Sequence, residues 1–460
     1  MPMKKVILCS VVFFILNMLH ISPTRAQDWQ ISQSTTVHTS FQTETYAQKV
    51  RVFNNDYLVG ITKVAGNEHY GFVLWENTNT IERIALLGTP DIIINDFAIL
   101  GNDLYFCGQR MISQGFYVGI IGCFNMIDFI NNGNFQYEYT DINTIENLTK
   151  IITFKTHSDE QIVTAIGNGS FILPTFSQVV CLNLSNPNSI AYTLLPLNNQ
   201  SQLEVLWDMY YYDDYVITVS NIHLADEYII RYFRYDGHYL DNIESYSFTF
   251  PGVDFNSTFD PMHFPLHIAD ISQYAFAVCL SANDGYNFFT MINTHKMHSH
   301  FLLNSQIHYH EDKNNEPLEM EYSSNIDRLL LLNNNYFSSL GKIQTMTYID
   351  PNATNTYLTL MEYFNTPSEI NHFSLVSPDH YAVAGTYSFS QSNNLQLFAT
   401  RDIHIASSPC LNNSLVKINP FPITDGQQYS NVMGYNIFNI NWITDNIFVN
   451  TEIINKDCED

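Results

Sequence analysis

The sequence predicts an all-β repeat fold, a closed ring of about seven four-stranded sheets, and three observations lead to it. A unit of hydrophobic run, tight turn, second run, polar loop and third run recurs along most of the 460 residues. Successive turns lie roughly 45 to 60 residues apart, the length of one blade of a β-propeller. No sustained helical period and no Pro/Ser/Gly linker interrupts the pattern, and closing such an array hides sheet edges that an open row would expose. A β-propeller is therefore expected, with tandem β-sandwiches as the alternative.

The chain opens on Met1–Lys5, which carries two lysines and no acid, followed by the apolar stretch Val6–Leu19 and then Pro23–Ala26. A charged start, a short apolar core and a small residue at the cut describe a cleavable secretory signal over residues 1–26. The apolar core is shorter than the ~20 residues of a membrane span. A lipoprotein signal ending at Cys9 is disfavoured, because Cys9 stands at the front of the apolar core. Export to the periplasm or medium is expected, with 27–460 as a single propeller domain.

The repeats then follow. The first runs Val50–Phe53, the turn Asn54-Asn55-Asp56, Tyr57–Ile61 and Tyr70–Trp75. The second runs Asp96–Leu100, Gly101-Asn102-Asp103, Leu104–Gly108 and Gly115–Ile121. Further turns are read at Ser158-Asp159-Glu160, Tyr212-Asp213-Asp214, Ile271-Ser272-Gln273, Asn333-Asn334-Asn335 and Ser377-Pro378-Asp379. Asn, Asp, Ser and Gly favour such turns because they tolerate left-handed backbone or hydrogen-bond it locally. From about 410 the chain reads as an extension or as closing strands. Gln30–Tyr46 and Asn413–Ile454 both look extended, and one is expected to complete a blade begun by the other.

The second copy, with its Gly-Asn-Asp turn, Leu-Tyr-Phe-Cys-Gly and Gly-Phe-Tyr-Val-Gly, resembles the blade of secreted bacterial β-propeller proteins of the broad kelch-like or WD40-like sort. The resemblance implies fold alone. Neither the kelch double glycine nor the Gly-His…Trp-Asp signature of a WD40 repeat is present, so no functional family follows from it.

Charge excludes two classes of partner. With 19 Lys and Arg against 45 Asp and Glu, a formal net charge of −26, the chain lacks the basic clusters that displace counterions from nucleic acid or bind anionic membrane. Loss of the signal removes Lys4, Lys5 and Arg25 and deepens the imbalance. A soluble, self-repelling monomer is expected.

Six cysteines lie beyond the signal. Cys107 and Cys123 flank a turn near Gln114-Gly115 and Cys410 and Cys458 bracket the tail, so these are the candidate disulfide pairs. Buried thiols are the competing reading.

Three clusters are candidate sites. His298, His300, His308 and His310, beside His295, form two His-x-His pairs whose members share a strand face. On adjacent strands they could offer four imidazoles to zinc or copper; otherwise no cofactor is expected. Trp207, Asp208, Tyr211, Asp213 and Asp214 combine aromatic faces with carboxylates, as glycan recognition requires. Ser281–Phe288 loosely matches the Asp-box turn of sialidase-type propellers, without a triad of arginines beside it. No nucleophile elbow, phosphate loop or His-Glu-x-x-His helix occurs. The function expected is non-enzymatic binding of a protein or glycan through rim loops. A carbohydrate-active hydrolase or lyase is the alternative, and a histidine-cluster metal protein the third reading. An enzyme should gather carboxylates at the channel, so the placement of Asp208, Asp213, Asp214, Asp260 and Asp270 decides between the first two.

Overall fold

The computed structural model describes residues 34–453 apart from loop segments, the longest being 254–265 and 403–417. The signal region, Asp260, His310, Cys410 and Cys458 lie outside the described residues. Among the described residues, no helix is long and apolar enough to cross a membrane.

The chain is a β-propeller. Its strands form seven antiparallel four-stranded groups: residues 45–87, 92–142, 147–194, 204–249, 267–309, 315–364, and 368–402 completed by Ser34–Val37. We number these blades 1 to 7. Their first strands are Thr45–Phe53, Ile92–Leu100, Asn147–Lys155, Glu204–Tyr212, His267–Ser272, Asn315–Ser323 and Ser368–Ser377, and each touches the first strand of the next blade. The last touches the first, so the ring closes, and tandem sandwiches are excluded. One six-residue helix, Met126–Asn131, interrupts blade 2, and the Asn125 side chain caps it by accepting from the Ile127 N–H.

Packing explains the closure. Seven buried apolar clusters are present, one at each blade interface. Between blades 1 and 2, for example, the Phe72 ring meets Phe97 and Phe106 at 5.8 Å and Phe124 at 5.1 Å. Both faces of each blade are thus buried, which is why the strands read as nearly continuous apolar runs rather than alternating ones.

The two chain ends behave differently from the expected shared blade. Ser34–Val37 pairs with the strand Asn393–Asp402 of blade 7. The tail instead runs backwards around the ring. Ile418–Pro420 adds to blade 5, Gln427–Gln428 to blade 4, and Gly434–Phe438 to blade 3. Ile443–Ile453 pairs with the outer strands of both blade 2 and blade 1, joining them into one nine-stranded sheet.

Two further expectations are corrected. Asn333–Asn335 is no turn: it lies within the strand Arg328–Phe337, and the bend falls at residues 324–327. Asn333 and Asn334 are buried there, with Asn334 Oδ1 accepting from Gln344 Nε2 at 2.8 Å. Cys107 and Cys123 are free thiols. The hairpin register sets Cys107 opposite Ile121 and Cys123 opposite Tyr105, so the two are diagonal neighbours rather than partners. The Cys107 thiol donates to Leu148 O instead, at 3.7 Å.

A candidate active site in the central channel

All seven first strands carry an irregularity in register, and in six of them, all but blade 5, one shift is followed directly by an ionisable residue. These six shifts fall between Ala47 and Lys49, Ile94 and Asp96, Leu148 and Lys150, Leu206 and Asp208, Pro317 and Glu319, and Ile370 and His372. Blade 5 begins on His267, which completes the series. A bulge re-aims a side chain and bends its strand. Repeated around a ring, it turns Lys49, Asp96, Lys150, Asp208, His267, Glu319 and His372 toward one another.

The bulges have a steric partner on the second strands. Gly108, Gly167 and Gly385 stand opposite Ile94, Leu148 and Ile370. A Cβ on Gly108 would lie 1.9 Å from Ile93 O, so only glycine lets the bulging backbone approach.

The ring is held by ion pairs across blades. Lys49 Nζ lies 3.1 Å and Arg51 Nη2 3.2 Å from Asp96 Oδ1, while the Ile151 N–H donates to Asp96 Oδ2 at 3.0 Å. Lys150 Nζ lies 3.0 Å from Asp208 Oδ1 and 3.8 Å from Glu319 Oε1. His372 Nε2 lies 3.1 Å from Glu319 Oε2, and His267 Nδ1 3.8 Å from Asp208 Oδ2. The Ile268 N–H reaches Asp208 Oδ2 at 3.2 Å, repeating one blade-pair along what Ile151 does for Asp96. Two residues beyond Glu319, half-buried Glu321 accepts from the Leu375 N–H at 2.7 Å.

Burial and charge set the protonation states. Burial alone would raise the Asp96 carboxyl, but Lys49, Arg51 and Lys150 hold it well below the usual carboxylate range. Glu319 follows the same logic with Lys150 and His372. Burial pushes the imidazoles down, His372 to about 4, against the opposing field of Glu319. His267 moves the same way, opposed by Glu319 and Asp208. Glu321, partly desolvated and beside Glu319, is pushed up to about 7. The channel therefore holds cations, anions and neutral imidazoles within hydrogen-bonding reach of one another, fixed by sheet backbone.

The expected glycan patch is divided by this geometry. Asp208 turns into the channel, whereas Trp207, the bulged residue, is half-buried with Nε1 donating to Asn221 Oδ1 at 2.7 Å. Tyr211, Asp213 and Asp214 lie at the rim. Tyr211 stacks on Phe154 with centroids 3.9 Å apart, and its hydroxyl bonds Asp214, which also binds His157 Nδ1. Of the three, Asp214 lines a groove of about 500 Å³ together with Thr156, Ser158, Glu160, Arg234 and Tyr235. Asp270 is exposed in the second half of the strand His267–Ser272.

The histidines also separate. His298 and His300 sit in the turn after the strand Phe288–Lys296, against Tyr215 and Tyr232 and against Tyr246 and Phe301. His308 pairs with Thr290 toward the far end of that hairpin. His295 is fully buried among Phe248, Phe276 and Tyr228. The structure does not bring the turn histidines and His308 together. The ionisable channel residues that the sequence reading passed over are Lys49, Arg51, Asp96, Lys150, His267, Glu319, Glu321 and His372.

No protein-family model and no curated protein matches the chain. Solved structures do resemble it. The polysaccharide lyase Uly1 shares 7% identity with a TM-score of 0.44, over 81% of this chain and 98% of its own. The β-propeller domain of the Trilobed protease from Pyrococcus furiosus shares 9%, TM-score 0.32, over 69% and 99%. The endosialidase of phage phi92 shares 12%, TM-score 0.28, over 84% and 59%. The expectation of a non-enzymatic binder with no convergent carboxylates is corrected: Asp96, Asp208 and Glu319 converge on basic groups in the channel. The chain is a β-propeller by its own topology, and its family is not fixed by these likenesses.

Proposed function

We propose that the protein is a carbohydrate-active enzyme, a hydrolase or lyase, whose substrate is processed at the ionisable ring of the central channel. One observation carries the reading: seven first strands each deliver an ionisable group to the same level, six of them by a bulge. Groups held by rigid sheet act on developing charge without having to reorganise. Lys49 and Arg51, the latter with 28% of its side chain exposed, are placed to bind the hydroxyls or carboxylate of a sugar. Glu319 paired to His372, with Glu321 beside them, supplies the proton donors and acceptors that glycosidic cleavage or β-elimination uses. The signal-like leader suits an enzyme acting on glycans outside the cell.

The test is a panel of neutral and uronate-containing glycans, read for new reducing ends and for the ultraviolet absorbance of unsaturated products. Turnover of one class is expected, falling by about 10²-fold or more in Glu319→Gln and His372→Ala. Full activity in both variants, or no turnover by folded wild-type protein, refutes the reading.

A further inference from the structure

We propose that Asp208, His267 and Glu319, from blades 4, 5 and 6, form a binding site for a divalent first-row metal ion. One ligand atom from each residue lies within 4.8 Å of the others, and all three side chains are buried. The site stands on this geometry whether or not the channel turns over a glycan.

The imidazole provides the independent clue. His267 Nε2 lies 3.2 Å from Pro317 O, and a carbonyl can only accept, so Nε2 carries the proton. Nδ1 is then a bare lone pair. It has no hydrogen-bond partner among the described residues and faces Asp208 Oδ2 at 3.8 Å, another acceptor. A buried lone pair turned toward carboxylates is unfavourable unless a cation joins them. A ring N–H donated to a backbone carbonyl while the other nitrogen faces the ion is the outer-shell pattern of metal-binding histidines.

Distances fit a small ion. Ligands at about 2.1 Å from a tetrahedral metal are about 3.4 Å apart, so Asp208 and His267, at 3.8 Å, need close by a few tenths of an ångström, and Glu319 draws in from the 4.8 Å span that encloses all three ligand atoms. The donor set of one nitrogen and two carboxylates suits zinc or manganese better than calcium or magnesium, which prefer all-oxygen shells. Three protein ligands leave a position for water or a substrate oxygen.

Lys150 shows that this point already attracts positive charge. Its ammonium bridges Asp208 and Glu319 but leaves His267 Nδ1 unbonded. A divalent ion satisfies all three ligands at once and displaces the ammonium toward Asp96, which already contributes to its field. Lys150 is thus a built-in competitor.

The full chain, stripped by a chelator and dialysed, is titrated with zinc and with manganese separately. Elemental analysis gives the stoichiometry, and the visible spectrum of a cobalt-loaded sample reports the ligand geometry. One ion per chain is expected, with at least tenfold weaker binding in His267→Ala. Lys150→Met should bind tenfold or more tightly, a gain that misfolding cannot produce. Absence of stoichiometric metal in wild-type protein, or unchanged affinity in both variants, overturns the site. Loss of binding in a His298→Ala/His300→Ala variant but not in His267→Ala overturns it as well, by moving the ion to the blade 5 turn. Metal binding without glycan turnover would refute the enzymatic reading alone.

Discussion

His295 should make the fold sensitive to mild acid. Its ring is fully buried against Phe248 and Phe276, with centroids at 4.6 and 5.2 Å, and Nε2 meets the Tyr228 hydroxyl at 2.9 Å. Burial alone, with no charged neighbour contributing, pushes the imidazole down to about 3. The folded state therefore resists a proton that the unfolded chain takes up near its ordinary value of about 6.5. Above that value the group is neutral in both states and costs nothing. As pH falls below it, the unfolded state binds the proton first and stability declines, until the folded value is reached. Between pH 7 and pH 5 this amounts to about 2 kcal/mol, from ~1.4 kcal/mol per pH unit once the unfolded form is mostly protonated. Replacing His295 by Phe keeps an aromatic ring in the slot, while Tyr228 retains the Asn293 Nδ2 donor at 3.0 Å. Urea unfolding of wild-type and His295→Phe protein at pH 7, 6 and 5 gives the comparison, and the wild type should lose about 2 kcal/mol more than the variant over that range. Equal pH dependence in the two proteins would refute the reasoning, because every other titrating group is common to both.

Other outcomes follow from the same coordinates. Arg231→Met strands the buried Glu204 carboxylate, which now takes the guanidinium at 2.8 Å through Nε, and should cost about 3–5 kcal/mol by chemical unfolding; adding Glu204→Leu should recover most of it. Asp96→Asn removes the anion shared by Lys49, Arg51 and the Ile151 N–H, at a cost of about 3 kcal/mol near neutral pH. The Asp96 carboxyl is held low when folded, so that contribution is present above the ordinary carboxylate range and fades as pH falls below it; the variant should lose this part of the acid dependence. Gly108→Ala puts a methyl group against Ile93 O, should cost about 1–3 kcal/mol, and should weaken channel activity by flattening the bulge that aims Asp96.

The ring fold was legible because a seven-fold signal survives local noise: alternating runs and polar turns recur whatever the individual residues are. Most of the turns were readable from Asn, Asp and Gly, since these residues relieve left-handed backbone, as at Asn54, Gly101, Asp159 and Asp213. Asn333–Asn335 misled because three asparagines read as a turn, whereas buried amides can also pair within a sheet, as Asn334 does with Gln344. The channel site was hidden for another reason. Most of these strands carry other charged residues as well, such as Arg51, Glu204, Asp270, Glu321 and Glu369, so the one residue that turns into the channel looks incidental when its strand is read alone. Aligned on the bulge, the pairs Gln48-Lys49, Asn95-Asp96, Thr149-Lys150, Trp207-Asp208, Leu318-Glu319 and Asn371-His372 form a column that spacing could have revealed. Asp208 was noticed, but beside the wrong neighbours. A bulge breaks the two-residue alternation, so simple parity cannot separate it from Tyr211, Asp213 and Asp214.

The backward path of the tail bears on how the molecule is made. The strand Ile81–Leu87 near the start waits for Ile447–Ile453 to cover its edge, and blades 2 to 5 wait in reverse order of their own synthesis. The first blade to emerge from the ribosome is thus the last to be sealed. Pairings this distant in sequence form slowly, and unpaired edges invite association with other chains in the interval. A nascent chain with five unsealed blades has reason to be kept extended or chaperoned until its last strands are available, and a lesion confined to residues 443–453 should surface as aggregation during biogenesis rather than as a defect in the finished channel.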